Sequence, residues 1–591
     1  MILHALTDYY ERLAESPGAD IAEFGFSRQK ISFAVVIAPD GKGFDVQPVG
    51  LERKGKRIAE SMIVIGNAKP PGQGISPCFL WDNMAYMLGL KADDEKPERT
   101  QASFEAFREK HLELAETIAD EHYSLVCEFL RQWNPFDADL ALTEIGTGFG
   151  VFRIRGIEQY VHQRDAIQGW WRTQVSTSTS EKLETAQCLV SGTVGPIARL
   201  HEPKIKGVVG AQSSGAAIVS FNLDAFESYG KTQSYNAPVS KQAAFQYTTA
   251  LNRLLASKQR FQIGDSTTVF WTAKPSPIED FFGNLISDRV EDESLKSQLH
   301  EILKDIAKGQ CPSELGDPAT EFYVLGLSPN ASRLSVRFWH VSTIGTFVES
   351  IRTHFSDLSI VAASWEPQFP GLWQILRETS RETKDVAPLL VGGLMRALLN
   401  PSINYPAALY NAILRRIATD RRLTSTRCGL LKAYLTRTQT LQRSITVGLD
   451  TERTEVAYHL GRLFSALERA QEVAHTVDKK VTINDTIKDK FFGAASASPS
   501  SVFPRLIRLS QHHLHKIERP RTRVFFERKI GEIFSLFDVF PNHLGLRDQG
   551  LFAIGYYHQR QDFFQNRTDS SDSEETEIRN PSQSQPSGED Q

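Results

Sequence analysis

Gly210-Ala-Gln-Ser-Ser-Gly215 has the glycine spacing of a loop that wraps a triphosphate, but Ala216 and Ala217 stand where the lysine and the metal-binding hydroxyl are needed. Binding of a nucleoside triphosphate in that mode is therefore not expected. The glycines still allow close approach of a partner's phosphate backbone, and an ordinary surface loop is the alternative. Gly146, Gly148 and Gly150 are spaced like part of a dinucleotide fingerprint, yet the following Val151–Arg155 is strand-like rather than helical. A glycine-rich turn is the better reading. His512, His513 and His515 form a histidine cluster without HExxH spacing or a following aspartate. Their basic setting, Arg505, Arg508, Lys516, Arg519, Arg521 and Arg523, points to a nucleic-acid or subunit contact rather than a metal centre. The densest charge is Arg415, Arg416, Arg421, Arg422, Arg427, Lys432, Arg437 and Arg443, opposed locally by Asp420 alone. On helices such a run displaces counterions from a polyanion, and a solvated face is the bland alternative. No triad or paired-carboxylate arrangement is legible. No enzymatic role, metal or cofactor is expected.

The elements that must carry these residues divide into two kinds. Residues 1–385 read as mixed α and β. Lys30–Ala38 and Phe44–Val49 are predicted strands joined at Pro39–Gly43, Glu105–Trp133 is helical in pattern, and Glu321–Leu327 with Ser332–Trp339 forms a hairpin. Residues 386–565 read as an all-α bundle. In it Val456, Leu460, Leu463, Phe464 and Leu467 repeat as an amphipathic stripe, and Pro499-Ser500-Ser501 breaks one helix from the next. Residues 566–591 form an acidic tail rich in Ser, Gln and Pro, expected to be disordered. From Asp569 on, the tail holds seven acids against Arg579 alone, so the net charge of −4 conceals a mildly basic body.

Five scattered cysteines, never spaced as CxxC, argue against zinc or a disulfide framework and suit a reducing cytoplasm. The start carries Asp8 and no basic or long apolar stretch, so no secretory leader is expected. The apolar run Ile31–Ala38 is too short to span a bilayer, and no membrane association is expected.

Several blocks resemble, in order, the large subunit of the type I-C (Dvulg-subtype) CRISPR Cascade. They begin with Ala5–Tyr10, Phe24-Gly-Phe26 and Ile31-Ser-Phe33, then Pro77–Asn83 with Tyr86–Gly89. The most specific is GAQSSGAAIVSFNLDAFESYGKTQSYNAPVSKQAAFQYTTALNRLL, residues Gly210–Leu255. Phe322–Leu327 with Arg333–Phe338, Val502–Arg505 and Asp548–Gln559 complete the set, which covers about residues 1–565 and leaves out the tail.

The resemblance implies a subunit at the foot of a crRNA-guided complex in antiviral defence. Such a subunit senses the PAM in double-stranded DNA, helps open the duplex and holds the displaced strand. Its implied partners are the crRNA, the target DNA, the Cascade backbone subunits, the crRNA-processing foot subunit, small subunits and a helicase–nuclease recruited in trans. Sequence itself is read by RNA–DNA pairing. The N-terminal region is implied to sense the PAM, and the C-terminal bundle to resemble the small subunit. Asn67, Lys69, Gln73 and Ser76, in a Gly/Pro-shaped loop, are the first candidates for PAM contact, an ordinary polar loop being the alternative; Gln212, Ser213, Ser214, Asn236 and Lys241 are the second set. Arg415, Arg416, Arg421, Arg422, Arg427, Lys432, Arg505, Arg508, Arg521 and Arg523 are the candidates for strand-backbone binding. A divergent metal-dependent nuclease and a pure assembly scaffold without direct DNA readout are the competing classes. The resemblance further implies that the C-terminal helices, from about Val447 to Phe564, are also made as a free small subunit from an internal start, for which Met395, Val447 and Val456 are available.

Overall fold

The computed structural model describes residues 1–565 apart from 17, 19, 54–55, 70–73, 139–141, 143, 144, 146, 147, 178–183, 264–265, 287–292, 383–384, 440, 442 and 478–479. The acidic tail 566–591, Gln73 and Gly146 lie outside the described residues. The chain forms two compact units, Met1–Ser257 with Ser328–Val336, and Lys258–Leu327 with the chain from Arg337 onward.

In the first unit, α1 (Ile2–Ala14) precedes a five-stranded sheet built on β1 (Phe26–Ile37). The run Phe33–Ile37 lacks polar alternation because both of its faces are buried. β2 (Phe44–Pro48) pairs antiparallel with the second half of β1 and β3 (Glu60–Ile65) with the first half. β4 (Trp81–Asn83) pairs with β5 (Phe149–Ile154), which runs parallel to β1 with Phe152 opposite Val35. A parallel neighbour requires a long crossover, supplied here by α2 (Pro97–Glu113) and α3 (Glu121–Gln132). The single helix predicted over Glu105–Trp133 is thus two. The break is Asp120, whose carboxylate caps α3 by accepting the N–H groups of His122 and Tyr123 and also binds Arg164 Nε at 2.6 Å. α4 (Asp165–Thr177) follows the sheet, and α5 (Lys241–Leu255) packs on α1.

A second sheet has β6 (Arg260–Ile263), β7 (Ser266–Thr272), β8 (Glu321–Asn330) and β9 (Arg333–Thr343) as neighbours in that order, in the second unit except for the hairpin tip Ser328–Val336. The predicted hairpin is present as β8–β9, with each strand longer than its apolar alternation indicated. α6 (Ile278–Ile286), α7 (Glu293–Ala307) and α8 (Ile344–Leu358) bring Phe282 and Phe347 against Phe270 and Phe322, with ring centroids 4.9–5.3 Å apart. Helices then dominate: α9 (Pro388–Leu399), α10 (Ala407–Asp420), α11 (Ser425–Arg437), α12 (Val456–Ala474), α13 (Ile487–Ala497), α14 (Pro499–Lys516), α15 (Pro520–Phe534) and α16 (Leu546–Gln565). The fold is therefore a mixed α/β N-terminal region followed by a helical C-terminal stretch.

Compactness does not change at the expected 385/386 division. One apolar cluster runs from Phe270 and Phe322 through Leu394, Ile413 and Leu460 to Phe552 and Tyr556, so the late helices share a core with β7, β8 and α6–α8. α12 also departs from its predicted one-sided stripe. It is the central helix and is buried all round, because its polar residues are paired inside. Glu468 accepts hydrogen bonds from Tyr556 and Arg560, while Glu472 pairs with Arg469 and Arg560. Where α12 crosses α16 the backbones touch: a Cβ at Gly461 would lie 2.0 Å from the Phe552 carbonyl, and one at Gly555 would lie 2.1 Å from that of Tyr458.

Candidate nucleic-acid interface

Asn67 follows β3 and Ser76 precedes β4 in the first unit. Asn67 and Ser76 are exposed, and the Ser76 N–H donates to the Tyr86 hydroxyl. Lys69 is not offered to solvent as expected. Its Nζ donates to both carboxylate oxygens of Asp82 at 2.5 and 2.6 Å and lies 3.2 Å from the centre of the Tyr86 ring. Asp82 is fully buried and needs a countercharge, which accounts for the difference. Lys69 still lines a cleft of about 640 Å³ with Ser76, Tyr86, Lys91, Lys96 and Arg99, and the acids Asp94 and Glu95 share that lining. Burial, then the charge of Asp82, pushes the neighbouring Cys78 thiol up to about 12, so it stays protonated.

The glycine-bracketed loop is a pinned turn. Gly210 (φ 79°) and Gly215 (φ 101°) adopt the left-handed backbone that other residues avoid. Ile205 and Ala216 exchange backbone hydrogen bonds at 2.9 Å, and Ala217 bonds to Ser332 and Leu334 at the hairpin tip. Gln212, Ser213 and Ser214 are exposed on the outside of this turn, and Lys241 is exposed at the start of α5. Asn236 is a correction. Its amide Nδ2 donates to the carbonyls of Lys231 and Gln233, and its Oδ1 accepts the Ser228 N–H, so the side chain shapes its own loop.

Four of the eight cations in the first run, Arg416, Arg427, Lys432 and Arg437, are paired or turned inward. Arg427, 3% exposed, binds Asp420 and Glu378 and donates to the Arg422 carbonyl. Lys432, 5% exposed, donates to the carbonyls of Ser356 and Asp357. Arg416 pairs with Asp420 at 2.7 Å, and Arg437 with Asp357 at 2.7 Å. Arg427 and Lys432 are internal braces and so are not offered to a strand, while Arg416 is half-buried and shares the Asp420 carboxylate with Arg427. Arg415, Arg421 and Arg422 are exposed. Arg415 lines a groove with Asn411 and Leu546 between α10 and α16.

The second cluster turns outward. α14 contains no acidic residue, and its buried face is Val502, Phe503, Leu506, Ser510 and Leu514. The other face exposes Arg505, Arg508, His512, His515 and Lys516, at spacings of three and four residues that hold them in one stripe. Arg505 lies over the Phe491 ring at 5.3 Å. His513, half-buried against His475, is held below the ordinary imidazole range by burial and then by its neighbours His475, Lys516 and His512. On α15, Arg521 is exposed, while Arg523 faces Glu527 at 3.9 Å.

Three features escaped sequence reasoning. Arg333 at the hairpin tip stacks on Phe226 at 4.7 Å. Tyr229 and Trp365 stand exposed on loops. An aromatic inside a polar, helix-breaking stretch was the available signal in each case, as in Ser228-Tyr229-Gly230 and Ser364-Trp365-Glu366-Pro367. Among the described residues no group of three or more His, Cys, Asp or Glu is placed to hold a metal ion, and no helix is long and apolar enough to cross a membrane.

Comparison with known proteins places this chain, with its mixed N-terminal sheet and its helix of exposed cations, among the CRISPR-associated proteins. It belongs to the Cas_Csd1 family, whose model matches residues 6–564, in agreement with the resemblance to the type I-C Cascade large subunit. No curated protein matches the chain.

Proposed function

We propose that this chain, as a large subunit of a crRNA-guided type I-C Cascade, binds target DNA directly. It reads the PAM with the first unit and holds strand backbone on α14 and α15 of the second. In this reading it has no catalytic step of its own and presents the opened target to a helicase–nuclease recruited in trans. The observation that carries the reading is the acid-free α14, with Arg505, Arg508, His512, His515 and Lys516 on one exposed face. Such a stripe neutralises phosphates without reading bases, which suits holding strands of any sequence. The Asn67–Ser76 loop and the Gln212–Ser214 turn supply amides and hydroxyls of the kind that read groove edges.

The test is DNA affinity across a salt series for the full chain carrying Arg505→Ala, Arg508→Ala and Arg521→Ala. Affinity should fall on every sequence. The slope of log K against log salt should flatten by about 2–3, close to one unit for each phosphate no longer neutralised. An unchanged slope in a folded variant removes α14 and α15 from the interface.

A further inference from the structure

Ser228 and Lys231 bridge across a two-residue turn in which Tyr229 (φ 55°) and Gly230 (φ 70°) are both left-handed. Asparagine followed by glycine fills that geometry most easily, whereas a bulky side chain at the first position is strained. Tyr229 gains nothing in compensation within this chain. Its ring is 99% exposed and makes no hydrogen bond or ring contact among the described residues. Nor is the turn loose. Asn236 ties Ser228, Lys231 and Gln233 together; the Gln233 N–H donates to Glu227, and Arg199 donates to the Gln233 side chain at 2.6 Å. A ring held out rigidly, at a cost to its own turn, is placed for a contact outside the chain.

We infer that Tyr229 stacks its ring on an unpaired base of the bound DNA, an inference that rests on the DNA-binding role proposed above. The surroundings favour a polyanion. Between residues 199 and 241 the charged groups are Arg199, Lys204, Lys206, Lys231 and Lys241 against Glu202, Asp224 and Glu227. Glu202 lies 4.0 Å from Lys204, and Glu227 is engaged by Gln233. Arg333 adds a guanidinium over Phe226, the ring three residues before Tyr229. Every base has a π face, so a fixed tyrosine among cations holds single-stranded or frayed DNA without regard to sequence.

The test compares the full wild-type chain with Tyr229→Asn and Tyr229→Phe, on a forked duplex carrying 2-aminopurine in its unpaired arm. Tyr229→Asn relieves the turn, so its melting temperature should equal or exceed that of the wild type. Its affinity for the fork should fall roughly five- to a hundredfold, the range for removal of one base–aromatic stack, and stacking-dependent quenching of the fluorophore should disappear. Tyr229→Phe should behave as the wild type. Wild-type affinity and quenching in Tyr229→Asn overturn the inference, as does a phenylalanine variant as defective as asparagine. Failed assembly with other subunits at full DNA affinity marks a protein contact and also overturns it. A folded wild-type chain that binds no DNA overturns the parent reading and this one with it.

Discussion

Arg427 and Arg505 are the same residue type in equally basic stretches, yet one is an internal brace and the other a surface cation. What separates them is distant in sequence. Arg427 meets Glu378, 49 residues away, and Lys432 meets the Asp357 carbonyl, 75 residues away. A count of local acids finds only Asp420 and overstates the free charge. Lys69 repeats the lesson in the first unit, where its buried partner Asp82 lies 13 residues on. Lys69→Ala should therefore destabilise the protein by about 3–5 kcal/mol, because it strands a buried carboxylate. Arg415→Ala on the exposed face should change stability by less than about 0.5 kcal/mol. Denaturant unfolding of the two variants checks this. A Lys69→Ala protein of wild-type stability with weakened PAM discrimination would restore the lysine as a DNA contact.

At the scale of elements, periodicity located the strands and helices well where one face is wet. The stripe on α14 and the strand β9 are of this kind. It misjudged α12, whose charged residues are sequestered with Arg560, Tyr556 and Thr486 rather than turned to water. The Gln212–Ser214 turn was legible from its glycines, but its anchoring by strand-like bridges to Ile205 and Ser332 was not, since those pairings are non-local. The proposed free small subunit can be judged at this scale. A product starting at Val447 keeps α12–α16 but loses α10, whose Tyr410 hydroxyl donates to the Leu546 carbonyl and fills the space beside Gly550. A product starting at Met395 keeps α10 and α11. The longer fragment should melt several degrees higher and more cooperatively, as circular dichroism melts of the two will show; equal melting curves would mean that α12–α16 suffice alone.

For the whole molecule, acid should be felt early. Burial holds His111, His354 and His558 at about 3 and His162 and His201 at about 4, all below the ordinary imidazole value. Between those values and about 6.5 the unfolded chain binds more protons than the folded one, so folded stability drops as pH falls through that window. Each histidine contributes up to about 1.4 kcal/mol per pH unit once the pH is well below 6.5. Melting temperature should decline from about pH 6.5 downward, before carboxylates titrate. A flat profile from pH 7 to 5 would contradict this.

The continuous core of the second unit also sets an order in time. Phe270 and Phe322 are made long before Phe552 and Tyr556, yet all four belong to one apolar cluster. At the usual pace of synthesis the ribosome needs between about 15 and 60 s to travel from β7 to the end of α16. From the completion of α12 until α16 follows it, between about 5 and 18 s at that pace, the channel along α12 at Gly461, shaped to accept another helix backbone-to-backbone, stands open to water and to any passing apolar helix. The nascent second unit is therefore a sticky object until α16 emerges, whereas the five-stranded sheet of the first unit has all its strands by Ile154.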